Sequence, residues 1–142
     1  MEVQEIMTAK VITVGQDEPV TAAARLLRRW NLGALPVTDS TGRLRGVLTD
    51  RDIVLRCVAA EEDPAQTLVR EIMTRGCATV SPQDDCRAAT QLMARQQVRR
   101  LPVVEGGKLV GIVSLADLAR SQRFDMEAAQ ALGEISENIV RR

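Results

Sequence analysis

Two seven-residue stretches carry the side chains best suited to hold a ligand: Gly46-Val47-Leu48-Thr49-Asp50-Arg51-Asp52 and Gly111-Ile112-Val113-Ser114-Leu115-Ala116-Asp117. Each runs from a glycine through two apolar residues to a hydroxyl, and reaches an aspartate three positions later. A strand that ends directly into a helix sets the hydroxyl and the first free amides near the positive helix end, where an anion is favoured. The aspartate then lies in the first helical turn and can accept two hydrogen bonds from a cis-diol such as a ribose. The same residues have a second reading, in which Thr49 and Ser114 are helix N-caps and the dipole favours Asp52 and Asp117. Capping alone does not require the same glycine and the same spacing twice, so the duplication favours the ligand reading.

Composition narrows the chemistry further. The 142 residues contain no His and no Tyr, one Trp (Trp30) and one Phe (Phe124), which removes imidazole catalysis and aromatic base-stacking platforms. Cys57, Cys77 and Cys86 are odd in number, lack CxxC spacing, and read as small buried hydrophobes rather than metal or redox groups. The two aspartates have no nucleophile–base pair, metal cluster or phosphate-cradling glycine loop beside them, so we expect no enzyme, no catalytic residues, no metal and no enzyme cofactor. Nineteen basic and nineteen acidic side chains balance, leaving no net charge to draw the chain to nucleic acid or membrane. With no long apolar run and an opening Met1-Glu2-Val3-Gln4-Glu5, the expectation is a soluble, reducing, cytoplasmic protein.

The elements that must position these residues are written twice. Glu5-Ile6-Met7-Thr8 returns 66 residues later as Glu71-Ile72-Met73-Thr74, and Leu35-Pro36-Val37 returns at the same offset as Leu101-Pro102-Val103. A one-residue deletion in the following turn shortens the offset to 65, which sets Asp117 over Asp52. Halves of this size have too little core to stand alone and should pack on each other.

Each half reads β-α-β-β-α, so the fold class is α+β. In the first half, Val11–Val14 is a strand, and Pro19 opens a helix with Val20, Ala23, Ala24 and Leu27 on its buried face. Strands at 35–38 and 43–48 form a hairpin across Asp39-Ser40-Thr41-Gly42, and 50–60 is a helix burying Ile53, Val54 and Cys57. The second half repeats this as strand 77–80, helix 85–96, hairpin 101–113 and helix 115–120. Domain bounds follow as 3–60 and 69–120, with a linker at 61–68 and a helical extension at 121–142. In that extension Phe124, Ala128, Leu132, Ile135 and Ile139 form one apolar stripe.

In order and in duplicate, the Glu-Ile-Met-Thr openings, the Leu-Pro-Val strands and the Gly-h-h-Thr/Ser-x-x-Asp segments resemble a tandem pair of CBS domains, a Bateman module of the free-standing bacterial type. The resemblance covers roughly residues 3–120. It implies a pseudo-twofold disc with two clefts between the repeats that take AMP, ADP, ATP, NAD or a related adenosine ligand. Carried over by position, one cleft would comprise Thr49, Arg51, Asp52, Cys77, Ala78, Val98, Arg99, Arg100 and Pro102. The other would comprise Val11, Ile12, Leu32, Ala34, Pro36, Ser114 and Asp117. In each, the aspartate would take the ribose, the hydroxyl the phosphate side, and the apolar residues the adenine. Arg99 and Arg100 resemble the family's basic phosphate pair, although its first member is often His there. Gly33 and Ala34 stand in the matching places of the first repeat, and Leu115 and Ala116 replace Asp50 and Arg51. Positive charge therefore collects around the Asp52 cleft, expected to be the stronger phosphate site. The function implied is a non-enzymatic regulatory module, homodimeric, whose ligand state an effector protein reads. The alternative is an assembly module with vestigial clefts.

Overall fold

The computed structural model describes residues 1–120 and 130–135. The chain forms two compact units, Ile12–Cys77 and Met1–Val11 with Ala78–Arg142. They are offset from the sequence repeats by about ten residues, because the opening segment of each repeat is built into the unit of the other.

In the unit Ile12–Cys77, β1 (Val14–Gly15) runs parallel to β2 (Ala34–Thr38), which pairs antiparallel with β3 (Leu44–Thr49). Helix α1 (Val20–Trp30) makes the β1-to-β2 crossover and buries Val20, Ala23 and Leu27. Ala24, expected on that face, is exposed. The helix ends at Asn31 in the left-handed region (φ 51°), and the Leu32 amide donates back to Leu27 O at 2.9 Å. Asparagine tolerates this conformation, and the bond satisfies a terminal carbonyl. The core gathers Val14, Leu35, Val37, Leu48, Cys57, Val69 and Ile72 around that helix.

The helix after β3 departs from the expected 50–60 pattern. It is α-helical only over α2 (Asp50–Ile53), then widens into a π turn over Val54–Val58, where the Ala59 amide reaches Val54 O at 2.8 Å. The extra residue per turn rotates the buried face. Cys57 stays inside, but Val54 is 55% exposed and Leu55 and Val58 are exposed beside it. After the connection, α3 (Val69–Ile72) returns to the start of α1, where the Val69 amide donates to Glu18 O and the Val20 amide to Thr67 O, each at 2.9 Å.

The second unit repeats this plan with α4 (Cys86–Gln96), β4 (Arg100–Glu105), β5 (Lys108–Ser114) and α5 (Leu115–Arg120). Its opening segment comes from the chain start: the Val3 amide donates to Asp84 O and the Cys86 amide to Met1 O, at 2.9 and 3.0 Å. The expected strand 77–80 reduces to one parallel bridge, Val80 to Val103, just as 11–14 reduces to β1. Met93, Leu101, Val103, Val113 and Leu118 form the core, joined by Ala131 and Ile135 from the helical stretch 130–135. Leu132 of the expected apolar stripe is 41% exposed, while Phe124, Ala128 and Ile139 lie outside the described residues.

The deletion between repeats is a change of turn type. Gly106 and Gly107, both with positive φ (61° and 82°), join β4 to β5 directly, as a two-residue hairpin loop requires. The first hairpin instead wraps its loop around Asp39, whose Oδ1 accepts from Thr41 Oγ1 (2.6 Å), Thr41 N (2.9 Å) and Arg43 N (3.1 Å), while Oδ2 accepts from Arg45 Nε (2.8 Å). These bonds, the Thr41 hydroxyl first, hold the Asp39 carboxyl well below its ordinary value of 3.8. A carboxyl depressed on folding stabilises above its unfolded value, and that contribution disappears as pH falls through the folded one. Asp39→Asn should therefore be less stable than wild type in urea unfolding at neutral pH, and the gap should narrow once the pH drops below that ordinary value. A gap that stays constant down to the acid limit would exclude this role for Asp39.

Candidate functional site

Both hydroxyl–aspartate pairs sit where a hairpin strand runs straight into a helix. Thr49 Oγ1 accepts the Asp52 amide and Asp52 Oδ2 accepts the Thr49 amide, each at 3.0 Å. Ser114 Oγ and Asp117 Oδ2 repeat the exchange with the Asp117 and Ser114 amides at 3.1 Å. The reciprocal pair satisfies two amides that a helix start leaves open and fixes each carboxylate in one orientation. One carboxylate oxygen is thus committed to the cap, and the other, Oδ1, is directed elsewhere.

The surroundings of that second oxygen differ. Asp117 Oδ1 accepts Arg120 Nη2 at 2.5 Å, from a cation on its own helix. Asp52 Oδ1 faces Arg56 Nη1 at 3.6 Å, beyond hydrogen-bond distance, and that nitrogen donates instead to Ile72 O (2.9 Å) and Thr74 Oγ1 (3.1 Å). Neither Arg56 nor Arg120 was among the residues expected from sequence. Their i,i+4 and i,i+3 spacing from the aspartates is the signal that could have found them.

Each strand that precedes the site enters opposite its hydroxyl. Ala34 pairs with Thr49 and Arg100 with Ser114, while the Asp50 amide donates to Gly33 O (3.0 Å) and the Leu115 amide to Arg99 O (2.8 Å). The unit Ile12–Cys77 therefore brings Leu32, Ala34 and Pro36 together with Thr49, Arg51 and Asp52, with Ile12 and Cys77 at its ends. The other unit holds Val98, Arg99, Arg100 and Pro102 together with Ser114 and Asp117, and contains Val11 and Ala78. Each of the two expected residue sets is distributed over both units. Arg51, Arg99 and Arg100 are exposed, the two prolines are buried in their strands, and the remainder are partly buried.

The glycines that open the two motifs have a structural cause. Thr74 exchanges backbone bonds with Val47 (3.0 and 2.9 Å), and Thr8 does the same with Ile112 (2.8 and 2.9 Å). A Cβ on Gly46 would stand 2.5 Å from Thr74 O, and one on Gly111 would stand 3.0 Å from Thr8 O and 2.7 Å from Met7 Sδ. The Met-Thr of one repeat's opening is thus laid against the Gly-h-h of the other's motif.

Burial pushes the Cys77 and Cys86 thiols up, away from the thiolate form. Among the described residues, no three His, Cys, Asp or Glu side chains converge as a metal set, and no helix is long and apolar enough to cross a membrane.

A CBS domain family model matches residues 3–58 and 69–123. The chain belongs to the CBS domain family. The CBS domain-containing protein YhcV of Bacillus subtilis is 44% identical over 138 residues, 97% of either chain. The Hypoxic response protein 1 of Mycobacterium tuberculosis is 41% identical over 117 residues, 82% of either chain. A crystal structure of Hypoxic Response Protein I with two coordinated zinc ions superposes with a TM-score of 0.79 at 40% identity, covering 85% of this chain and 98% of that one. The CBS domain pair of protein MJ0100, in complex with 5'-methylthioadenosine and S-adenosyl-L-methionine, gives 0.72 at 28% identity, covering 84% and 94%. This protein is a small CBS pair with the mixed α+β fold of its relatives, and CBS pairs are typically regulatory, ligand-binding modules.

Proposed function

We propose that this CBS pair is a non-enzymatic sensor of adenosine-containing ligands. The observation that carries the reading is the duplicated hydroxyl–aspartate cap, which fixes two carboxylates and directs one oxygen of each away from the backbone it caps. In this reading Asp52 and Asp117 take the ribose diol, Thr49 and Ser114 the phosphate side, and Arg51, Arg99 and Arg100 the phosphate charge. Cys77, Ala78, Val98 and Pro102 hold one adenine, and Val11, Ile12, Leu32, Ala34 and Pro36 the other. The two adenosine derivatives in the MJ0100 complex support this ligand class.

A ligand regulates only through differential affinity for two states, which the reading assigns to a homodimer sensed by an effector protein. The second reading, an assembly module with vestigial clefts, draws on the fact that the caps are self-satisfied. Thermal unfolding with AMP, ADP, ATP, NAD and S-adenosylmethionine separates the two, since a ligand that binds only the folded state raises the melting temperature. A rise with adenine ligands exceeding that with guanine and pyrimidine nucleotides is the expected result. A flat response from protein shown to be ligand-free would leave the assembly module.

A further inference from the structure

The geometry points to Thr74 as a positioning residue that holds Arg56 off Asp52 and so keeps Asp52 Oδ1 open to a ribose diol. The inference rests on the proposed role of Asp52. An arginine Nη carries two hydrogens. Both hydrogens of Arg56 Nη1 are engaged, by Ile72 O at 2.9 Å and Thr74 Oγ1 at 3.1 Å, and none is left for the carboxylate oxygen 3.6 Å away. Asp52 thus feels the charge of Arg56 without surrendering an acceptor to it. Thr74 is itself fixed by its two backbone bonds to Val47, two residues before the Thr49 cap, so clamp and cap share one frame. Among the described residues of the other unit this arrangement is absent. Ser121 is the residue in register with Arg56, and Asp117 Oδ1 is taken directly by Arg120. A diol at Asp117 must share Oδ1 with a bonded cation, whereas one at Asp52 need not.

The test compares AMP with 2'-deoxy-AMP, which lacks the diol, by calorimetry on the full chain stripped of ligand. Thr74→Val removes the hydroxyl and frees one Arg56 hydrogen to bond Asp52 Oδ1. It should lower the preference for AMP over 2'-deoxy-AMP roughly two- to fivefold, the range of an exposed ion pair. Affinity for 2'-deoxy-AMP should hold, which also reports that the variant folds. Thr74→Val with Arg56→Met should restore the preference, because the freed guanidinium is gone. A merely structural Thr74 would weaken both nucleotides alike and would not be rescued. An unchanged preference in Thr74→Val, or no recovery in the double variant, overturns the inference. Asp52→Ala tells the two failures apart: if it leaves the preference for AMP intact, the diol role of Asp52 itself is wrong.

Discussion

Gly46→Ala is expected to destabilise the protein by about 1–3 kcal/mol, the range for forcing extra volume into a packed site. The added methyl would sit 2.5 Å from Thr74 O, a backbone atom that already accepts the Val47 amide, and 3.1 Å from Met73 Sδ. The clash cannot be relieved by rotating a side chain; the Val47–Thr74 bridge has to open. Gly111→Ala should cost less. Its shortest contact, 2.7 Å, is to Met7 Sδ near the end of a flexible side chain, and its backbone contact to Thr8 O is longer, at 3.0 Å. Urea unfolding without ligand measures both. The glycine would instead belong to ligand approach if Gly46→Ala were as stable as wild type yet bound nucleotide poorly.

That contact also marks where sequence reading stopped. The repeat, the hairpins, α1, α4 and α5 were legible because their apolar spacing and turn residues are local. The Thr49 and Ser114 caps were legible too; the return bonds from Asp52 and Asp117 to the cap amides were not read, although a hydroxyl three residues before an acid is their signal. What could not be seen is that Thr8 pairs with Ile112 and Thr74 with Val47, because periodicity within a segment says nothing about which distant strand it meets. A trace existed: Gly46 and Gly111 are buried strand positions with no positive φ, and such glycines mark close backbone approach. The π turn left no such trace. Val54 satisfies an i,i+3 pattern with Cys57, and only the inserted residue turns it outward. The strands 11–14 and 77–80 read as extended because of their β-branched residues, but β1 keeps only Val14 and Gly15 in the sheet and the second only its Val80 bridge.

The Asp52 site is expected to be the stronger one for phosphate-bearing ligands, and three variants decide it. Asp52→Ala should remove ribose recognition there. Arg100→Ala should cost ATP more affinity than adenosine, by about 1.5–3 kcal/mol if a charge-assisted hydrogen bond is lost. Two features favour Asp52. Arg51 stands in its helical turn where the other repeat has Ala116, and its Oδ1 is not bonded by a neighbouring cation as Asp117 Oδ1 is by Arg120. One feature makes the experiment demanding: the β4–β5 register sets Arg100 opposite Ser114, in the unit that holds Asp117. The double variants Arg100→Ala with Asp52→Ala and Arg100→Ala with Asp117→Ala therefore belong in the same calorimetric series. Residues that grip one ligand are non-additive, and those on separate sites add. Non-additivity of Arg100 with Asp52 is the expected outcome. If Asp117→Ala abolishes nucleotide binding while Asp52→Ala leaves it intact, and Arg100 couples to Asp117, then the guanidinium acts within its own unit and the stronger site is the one built on Ser114 and Asp117.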